Sequence, residues 1–487
     1  MKKNKITAIF LAFAMIVTSI TAFADDAPVT VKTPEEQMAQ VEEYSTYMQK
    51  NIIRTYAQIL ANNYYYGIED DELLFAVICS MIDEGKLDID KAIERMIKTL
   101  GDEHAEFYTP QEFELLTQDI SGEFSGIGVS ITQAKEGILV IDVFEDSPAA
   151  KAGIMENDLI VGVEDTRVEG MSVNAVRNLI VGEIGTAVRV TVRRGTEEFT
   201  TTCIRATVNA NELETKMIND KLAYMSFAQF TSNVPEEVAA YVKELQSKSV
   251  KNLIIDLRNN PGGDLNAAID IANIFISAGQ IGELRYKNEA NNVKLYSENF
   301  NAPRLKILVL VNENSASASE FLAMAFQSRG AAKIMGTKTF GKGSMQIVSK
   351  CITGSGMKYT MGEFYSYKGN RVNTVGITPD IVVENEYVPV DTESFAPVDY
   401  DKANDALNDG GMILALEQRL VALGYLEEAD EVFDDTTKQA VTRIQALLGY
   451  EVTGIPGFYE YLYLNDYSYD FDIEIDKQME EAIKYFK

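Results

Sequence analysis

The chain has 487 residues, a length that is enough for about three domains. Of these residues 46% are hydrophobic and 24% charged, which is typical of a folded protein. Its formal net charge of −30 argues against nucleic acid or an anionic membrane as the main partner. The single histidine, His104, excludes zinc sites built from several histidines, and the 3 widely spaced cysteines define no disulfide framework.

Residues 1–24 have the pattern of an export signal. Lysines precede an apolar run over 6–20, and Ala22-Phe23-Ala24 gives a small-x-small cleavage pattern. We therefore expect the protein to be exported across the cytoplasmic membrane and to be extracellular or associated with the cell wall. If the signal is not cleaved, it serves as an N-terminal anchor, and the sequence leaves both outcomes open.

A helical pattern follows the signal. Thr33 and Pro34 are suited to the N-cap and the first helical position, and acidic residues follow them. Apolar residues then recur at helical spacing, and further helices are expected over 70–84 and 89–100. We predict an N-terminal helical region over 33–115 that serves packing or dimerisation. His104, in the loop after these helices, is assigned no catalytic role.

The period changes to that of β-strands near residue 122. Gly126-Ile127-Gly128-Val129 is a glycine turn that leads into a strand, and the motifs S-P-A-A-K-A-G and N-D-L-I follow at 147–153 and 157–160. In combination these motifs resemble a PDZ domain, here over 119–207, arranged as in bacterial exported proteases. The resemblance implies that the backbone amides of Gly126, Ile127, Gly128 and Val129 bind a peptide's terminal carboxylate, and that the adjoining strand pairs with the peptide.

Residues 209–388 alternate between strands and helices and are predicted to form an α/β unit. A buried strand over 307–311 runs into three alternate serines, Ser315, Ser317 and Ser319, at the start of a helix. A nucleophile at such a helix start is exposed, and the first helical amides stabilise negative charge. Lys342, in a glycine-flanked turn, can act as the base if burial lowers its pKa. The residues alone do not choose among the three serines.

A second turn in this unit, Asp256-Leu257-Arg258-Asn259-Asn260-Pro261-Gly262-Gly263, carries a strand into a helix. Its exposed N–H groups suit an oxyanion hole completed by the amide of Ala318. By itself the turn is equally consistent with an ordinary strand-to-helix loop.

The motifs D-L-R-N-N-P-G-G (256–263), S-A-S-A-S-E (315–320) and T-F-G-K-G-S-M-Q (339–346) follow the PDZ-like segment in this order. Together they resemble the C-terminal processing, or tail-specific, peptidases. The resemblance implies a crotonase-like core with a Ser/Lys dyad and no metal or organic cofactor. It implies that Ser317 is the nucleophile, that Lys342 is the general base and that Gln346 orients the lysine. It also implies that the N–H of Gly262 or Gly263, together with that of Ala318, forms the oxyanion hole.

The sequence departs from this family in two places. Ser328 stands where some members carry an aspartate, which puts a supporting acid in doubt. Val181 stands where many members carry an arginine linked to substrate-induced activation. We therefore expect the arginine-based switch to be missing or relocated.

The C-terminal part begins with a predicted linker over 389–408. A helix-turn-helix pattern over 409–460 then resembles a small peptidoglycan-binding domain, although Glu431-Val432 replaces the Asp-Gly that is usual there. The alternative, a helical hairpin that packs on the protease or on a dimer partner, stays open. Residues 461–487 are predicted to be a tail with a final amphipathic helix over 473–486.

We therefore predict a multidomain α/β protein with a helical N-terminal region, a β-rich PDZ domain, a crotonase-like α/β protease core and a small helical C-terminal domain. The predicted function is that of an exported serine endopeptidase that cleaves proteins near their C-termini and recognises substrate tails through the PDZ domain. The alternative is a non-catalytic, wall-associated scaffold that binds peptide tails. The expected partners are proteins or peptides with free C-termini and not nucleic acid, while peptidoglycan binding and a homodimer stay open.

Overall fold

A computed structural model describes residues 34–84, 86–121, 123–134, 137–144, 146–194, 197–209, 213–448, 450, 452–469 and 472–487. The predicted export signal, residues 1–24, lies outside this described part. Within it, no helix is both long enough and apolar enough to cross a membrane.

The N-terminal helical region packs directly on the α/β core. It consists of α1 (Pro34–Asn63), α2 (Asp70–Glu84), α3 (Ile89–Thr99), β1 (Glu106–Tyr108) and α4 (Pro110–Ser121). Leu60, Leu73 and Ile93 are fully buried in one cluster with Met357 and Tyr359 of a core strand. Burial of these side chains supplies the main favourable free energy of this contact.

The PDZ-like unit is built mainly from one antiparallel sheet. The elements of the unit are β2 (Glu123–Gly126), β3 (Val129–Ala134), β4 (Gly137–Val143), α5 (Pro148–Lys151), β5 (Leu159–Val163), β6 (Thr166–Arg167), α6 (Val173–Ile180), β7 (Ala187–Arg194), β8 (Glu197–Ile204) and β9 (Ala206–Asn209). The sheet has the order β3-β4-β5-β7-β8, β6 pairs with β5, and the ribbon of β2 and β9 connects the unit to the rest of the chain. Strand β3 is at the edge of the sheet, where a further strand can pair with it.

The α/β core contains two sheets and three large helices. Its elements are β10 (Glu214–Asn219), β11 (Leu222–Ser226), α7 (Val234–Ser247), β12 (Asn252–Asp256), α8 (Leu265–Phe275), β13 (Gly279–Tyr286), β14 (Val293–Ser297), β15 (Lys306–Val311), α9 (Ala318–Arg329), β16 (Ala332–Gly336), β17 (Ser344–Lys350), β18 (Gly356–Ser366) and β19 (Ile381–Val382). The first sheet has the order β10-β11-β12-β15-β16-β19 and is parallel from β11 onward, and the second has the order β1-β18-β13-β14 with β17 on β18. Side chains of α7, α8 and α9 cover one face of the parallel sheet.

The last residues of the chain return to this core. Strand β20 (Glu386–Pro389) pairs with β21 (Asp472–Ile475), and α13 (Lys477–Tyr485) follows. Ala482 of α13 is fully buried with Leu308 and Leu310 of the parallel sheet. The tail therefore contains a strand as well as the predicted helix, and its helix covers the sheet face opposite α7, α8 and α9.

The small C-terminal domain lies between β20 and β21 and contains α10 (Gly410–Ala422), α11 (Asp435–Leu448) and α12 (Phe458–Tyr469). The predicted linker 389–408 is partly built into this domain, because Ala403 and Ala406 are buried in its core. Tyr461 of α12 is fully buried there too, so the domain extends past the predicted boundary at 460. The predicted fold class is confirmed, and the tail and linker are the regions that differ.

Candidate active site

Ser317 lies at the sharp turn between β15 and α9. Its φ of 55° and ψ of −112° are values that residues other than glycine seldom adopt. The two neighbouring serines are fully buried: the Ser315 hydroxyl donates to the Leu257 carbonyl at 2.7 Å and the Ser319 hydroxyl to the Asn260 carbonyl at 2.9 Å. Ser317 alone of the three is partly exposed to solvent, and the structure thereby distinguishes three serines that the residues alone could not.

The buried carboxylate of Glu320 connects the turn that carries Ser317 with the turn that carries Lys342. Its Oε2 accepts the N–H of Ser317 at 3.0 Å and the N–H of Lys342 at 2.7 Å. Its Oε1 accepts the Thr339 hydroxyl at 2.6 Å and the Gly341 N–H at 2.7 Å. Glu320 is not among the predicted site residues, although its position three residues after Ser317 matches the spacing of a helix capping box.

Lys342 has the electrostatic setting that a general base requires. Burial lowers the pKa of its ammonium group, and the charge of Lys358 lowers it further, while Asp102, Glu103 and Glu320 act in the opposite direction. Within the described residues its side chain makes no hydrogen bond or ion pair. A lysine in such a setting is neutral for a larger fraction of the time and can accept a hydroxyl proton.

The loop Gly101–His104 of the helical region also belongs to the surroundings of Lys342. Asp102 accepts the His104 N–H at 2.9 Å and the Thr360 N–H at 3.4 Å, which fixes the loop on strand β18. Burial lowers the pKa of His104, and the charge of Lys342 lowers it further. In the sequence this loop is separated from Lys342 by the whole PDZ-like unit and most of the α/β core, so residue spacing gave no signal that they are close.

Gln346 lies on β17, opposite Thr360 of β18. Its Nε2 donates to the Ser344 hydroxyl and to the Thr360 hydroxyl, each at 3.1 Å. No hydrogen bond joins Gln346 to Lys342 in the part of the chain that the structure describes. The expected role of Gln346 in orienting Lys342 is therefore not accompanied by a hydrogen bond between them. Gln346 instead donates to the side chain of Thr360, whose backbone N–H donates to Asp102.

Gly262 lies against the turn that carries Ser317, and Gly263 lies against Phe230. A Cβ atom on Gly262 would lie 2.8 Å from the Ser317 Cβ and 2.9 Å from the Ala318 nitrogen, so only glycine fits. The Gly262 N–H already donates to the Asn260 side chain at 2.9 Å. Among the described residues the N–H groups of Gly263 and Ala318 have no hydrogen-bond partner. Of the two glycines, Gly263 is therefore the one whose N–H is free for the expected role of second oxyanion donor.

The predicted peptide-binding loop connects β2 to the edge strand β3. The carbonyls of Ile127 and Gly128 accept hydrogen bonds from Ala149 and Phe144, at 2.7 and 3.1 Å. The N–H groups of Ile127 and Gly128 have no partner within the described residues, while Gly126 and Val129 lie in the two flanking strands. Free amides beside an open strand edge are the features that capture of a peptide C-terminus requires.

An arginine also lies at the end of the PDZ helix, although not at position 181. The Arg205 side chain, from the segment between β8 and β9, donates to the carbonyls of Ile180 and Leu179 at 2.6 and 3.3 Å. It further donates to the Ala187 carbonyl at 3.1 Å. Arg205 therefore links the end of α6 to the ribbon that leaves the PDZ unit.

Comparison with known proteins identifies three segments. The model of peptidase family S41 matches residues 221–383, that of the PDZ domain matches 125–203, and that of a putative peptidoglycan-binding domain matches 409–458. The last match agrees with the resemblance seen in the sequence.

Relatives of similar length are known. A probable CtpA-like serine protease of Staphylococcus haemolyticus (strain JCSC1435) is 32% identical over 74% of this chain and 72% of its own. The carboxy-terminal processing protease CtpA of Bacillus subtilis (strain 168) is 29% identical over 82% of each. The solved photosystem II D1 C-terminal processing protease matches 75% of this chain and 97% of its own, with 24% identity and a TM-score of 0.45.

Proposed function

Because the chain belongs to peptidase family S41, we propose that it is an exported serine endopeptidase that cleaves proteins near their C-termini with a Ser/Lys dyad. The observation that carries the proposal is the Glu320 carboxylate, which accepts the N–H of both Ser317 and Lys342 on one oxygen. The two residues of the dyad are thus held by the same group. The scaffold alternative offers no reason for a strained, partly exposed serine whose backbone shares a carboxylate with that of a desolvated lysine.

In the proposed reaction neutral Lys342 accepts the Ser317 hydroxyl proton while Oγ attacks the scissile carbonyl. The N–H groups of Ala318 and Gly263 donate to the oxyanion of the tetrahedral intermediate. The lysine then returns the proton to the leaving amine, and an acyl-enzyme ester forms on Ser317. Water attacks the ester with Lys342 again as base, which releases the shortened protein and restores the hydroxyl.

Substrate tails are proposed to bind the PDZ domain. The amides of Ile127 and Gly128 would hold the terminal carboxylate, and the free edge of β3 would pair with the tail's backbone. This mode reads the end of the chain and tolerates many sequences. The peptidoglycan-binding domain would place the enzyme at the cell wall, and export would depend on residues 1–24.

The experiment that tests the proposal measures cleavage of an unstructured protein with an apolar C-terminus. Wild type is compared with Ser317→Ala and Lys342→Ala, and with Ser315→Ala as the matched control. Loss of cleavage in the first two folded variants but not in the control supports the dyad. If the wild type binds tails without cleaving them, the scaffold alternative replaces the enzyme.

A further inference from the structure

The oxyanion loop is held by the C-terminal tail. Arg258 lies between strand β12 and Gly262, and only 14% of its side chain is exposed. Its guanidinium binds Asp256 at 2.7 Å on one side and Asp476, the residue between β21 and α13, at 2.6 Å on the other. Asp476 therefore provides the second carboxylate for a largely buried arginine that lies 218 positions earlier in the chain.

The rest of the loop is fixed on its opposite side. Asn260 is fully buried, and its side chain donates to the Phe227 carbonyl at 2.7 Å and accepts the Gly262 N–H at 2.9 Å. The Ala316 N–H donates to the Asn260 carbonyl at 3.1 Å. The loop is thus anchored to the nucleophile turn through Asn260 and to the tail through Arg258.

The tail is well placed to act as this anchor. β21 pairs with β20, and α13 packs its apolar side on the parallel sheet, so Asp476 is held at both flanks. Its side chain also accepts the Met479 N–H at 2.8 Å as the N-cap of α13. A carboxylate fixed in this way positions the guanidinium at little further cost in side-chain entropy.

We infer that Asp476 is a positioning residue for the proposed peptidase reaction, acting through Arg258 on the oxyanion donor Gly263. Without this carboxylate, Arg258 keeps Asp256 but loses its ion pair with the tail and retains there only the longer hydrogen bond to Gln478 Oε1, at 3.4 Å, so the segment 258–263 becomes more mobile. Misplacement of an oxyanion donor weakens binding of the transition state more than binding of the substrate. The inference rests on the proposed function for its kinetic part and on geometry alone for its structural part.

The test compares Asp476→Ser with Asp472→Ser in the full chain. Serine is a good N-cap, so the variant keeps the cap of α13 and removes only the ion pair with Arg258. Asp472, an exposed residue of β21, is the matched control. We expect kcat for peptide cleavage to fall on the order of 10- to 100-fold, with KM nearly unchanged, in Asp476→Ser alone. Asp476→Glu, which keeps the charge, should recover part of the loss.

Hydrogen exchange supplies a readout that does not depend on activity. Amides of residues 258–263 should exchange faster in Asp476→Ser than in wild type, whereas those of the PDZ domain should not change. Unchanged exchange in this segment, or a kcat equal to that of wild type, overturns the inference. If the wild type cleaves nothing, the proposed function fails, while the exchange measurement still decides whether Asp476 anchors the loop.

Discussion

The Glu320 carboxylate accepts the backbone N–H of Ser317 at 3.0 Å, and the same oxygen accepts that of Lys342 at 2.7 Å. The four groups that face Glu320 are all donors, so a carboxylate satisfies them and an amide does not: its NH₂ group would face at least one N–H. The backbone segments that carry the two residues of the proposed dyad are therefore held in place by one carboxylate.

Glu320→Gln should lower kcat by about 100-fold, because it disturbs the positions of Ser317 and Lys342 together. The negative charge of Glu320 raises the pKa of Lys342, so its loss should also move the acid limb of the pH–rate profile to lower pH. The measurement is kcat/KM against pH for the variant and for Glu313→Gln, an exposed control near the same turn. An unshifted acid limb in Glu320→Gln would contradict the electrostatic part of this account.

Lys358→Met should shift the same limb in the opposite direction. The charge of Lys358 lowers the pKa of Lys342, so the pKa of Lys342 should rise when that charge is removed. A higher lysine pKa means that the base becomes neutral only at higher pH, so activity should begin at a more alkaline pH. Lys350→Met, on an exposed residue of β17, is the control and should leave the profile in place.

Lys342→Met should abolish cleavage and stabilise the fold at neutral pH. The folded-state pKa of Lys342 is depressed, so the unfolded chain binds the proton more readily and the lysine opposes folding below its unfolded pKa. This penalty shrinks as pH rises and disappears above the unfolded pKa. The expected result is a higher Tm for the variant near pH 7 and a smaller gain near pH 10, measured by calorimetry; a lower Tm at pH 7 would refute it.

Much of this site follows from the sequence, because strand ends, glycine turns and a nucleophile turn have local signatures. Motif and family resemblance assign Ser317, Lys342 and the glycines 262 and 263 to the site. In the structure Gly262 lies against Ser317, and the N–H groups of Ser317 and Lys342 share one carboxylate oxygen. Other contributions come from residues distant in the chain, whose proximity depends on tertiary packing: the Asp102 loop beside Lys342, and Asp476 beside Arg258. Periodicity also assigned residues 473–486 to one helix, because a four-residue strand has too few positions to show its own period.

The position of the small C-terminal domain between two paired strands leads to a final prediction. A chain that stops at residue 390 loses α13, which exposes Leu308 and Leu310 of the parallel sheet, so we expect it to aggregate. A chain in which a short glycine-containing turn replaces 391–470 keeps the β20–β21 pair and α13, and it should fold.

We expect one defect in the chain that lacks residues 391–470. Ala446 of α11 covers an apolar patch on the PDZ sheet formed by Leu139, Leu159 and Val161, and Arg443 pairs with Glu156 beside it. Without the domain this patch is exposed, and the PDZ unit should bind a hydrophobic dye that wild type does not. Ala446→Glu in the full chain should show the same dye binding, because a buried carboxylate separates the two surfaces. The two shortened chains are compared by their cleavage activity. If the chain that lacks only 391–470 cleaves and the chain that stops at residue 390 does not, the tail, and not the small C-terminal domain, completes the catalytic core.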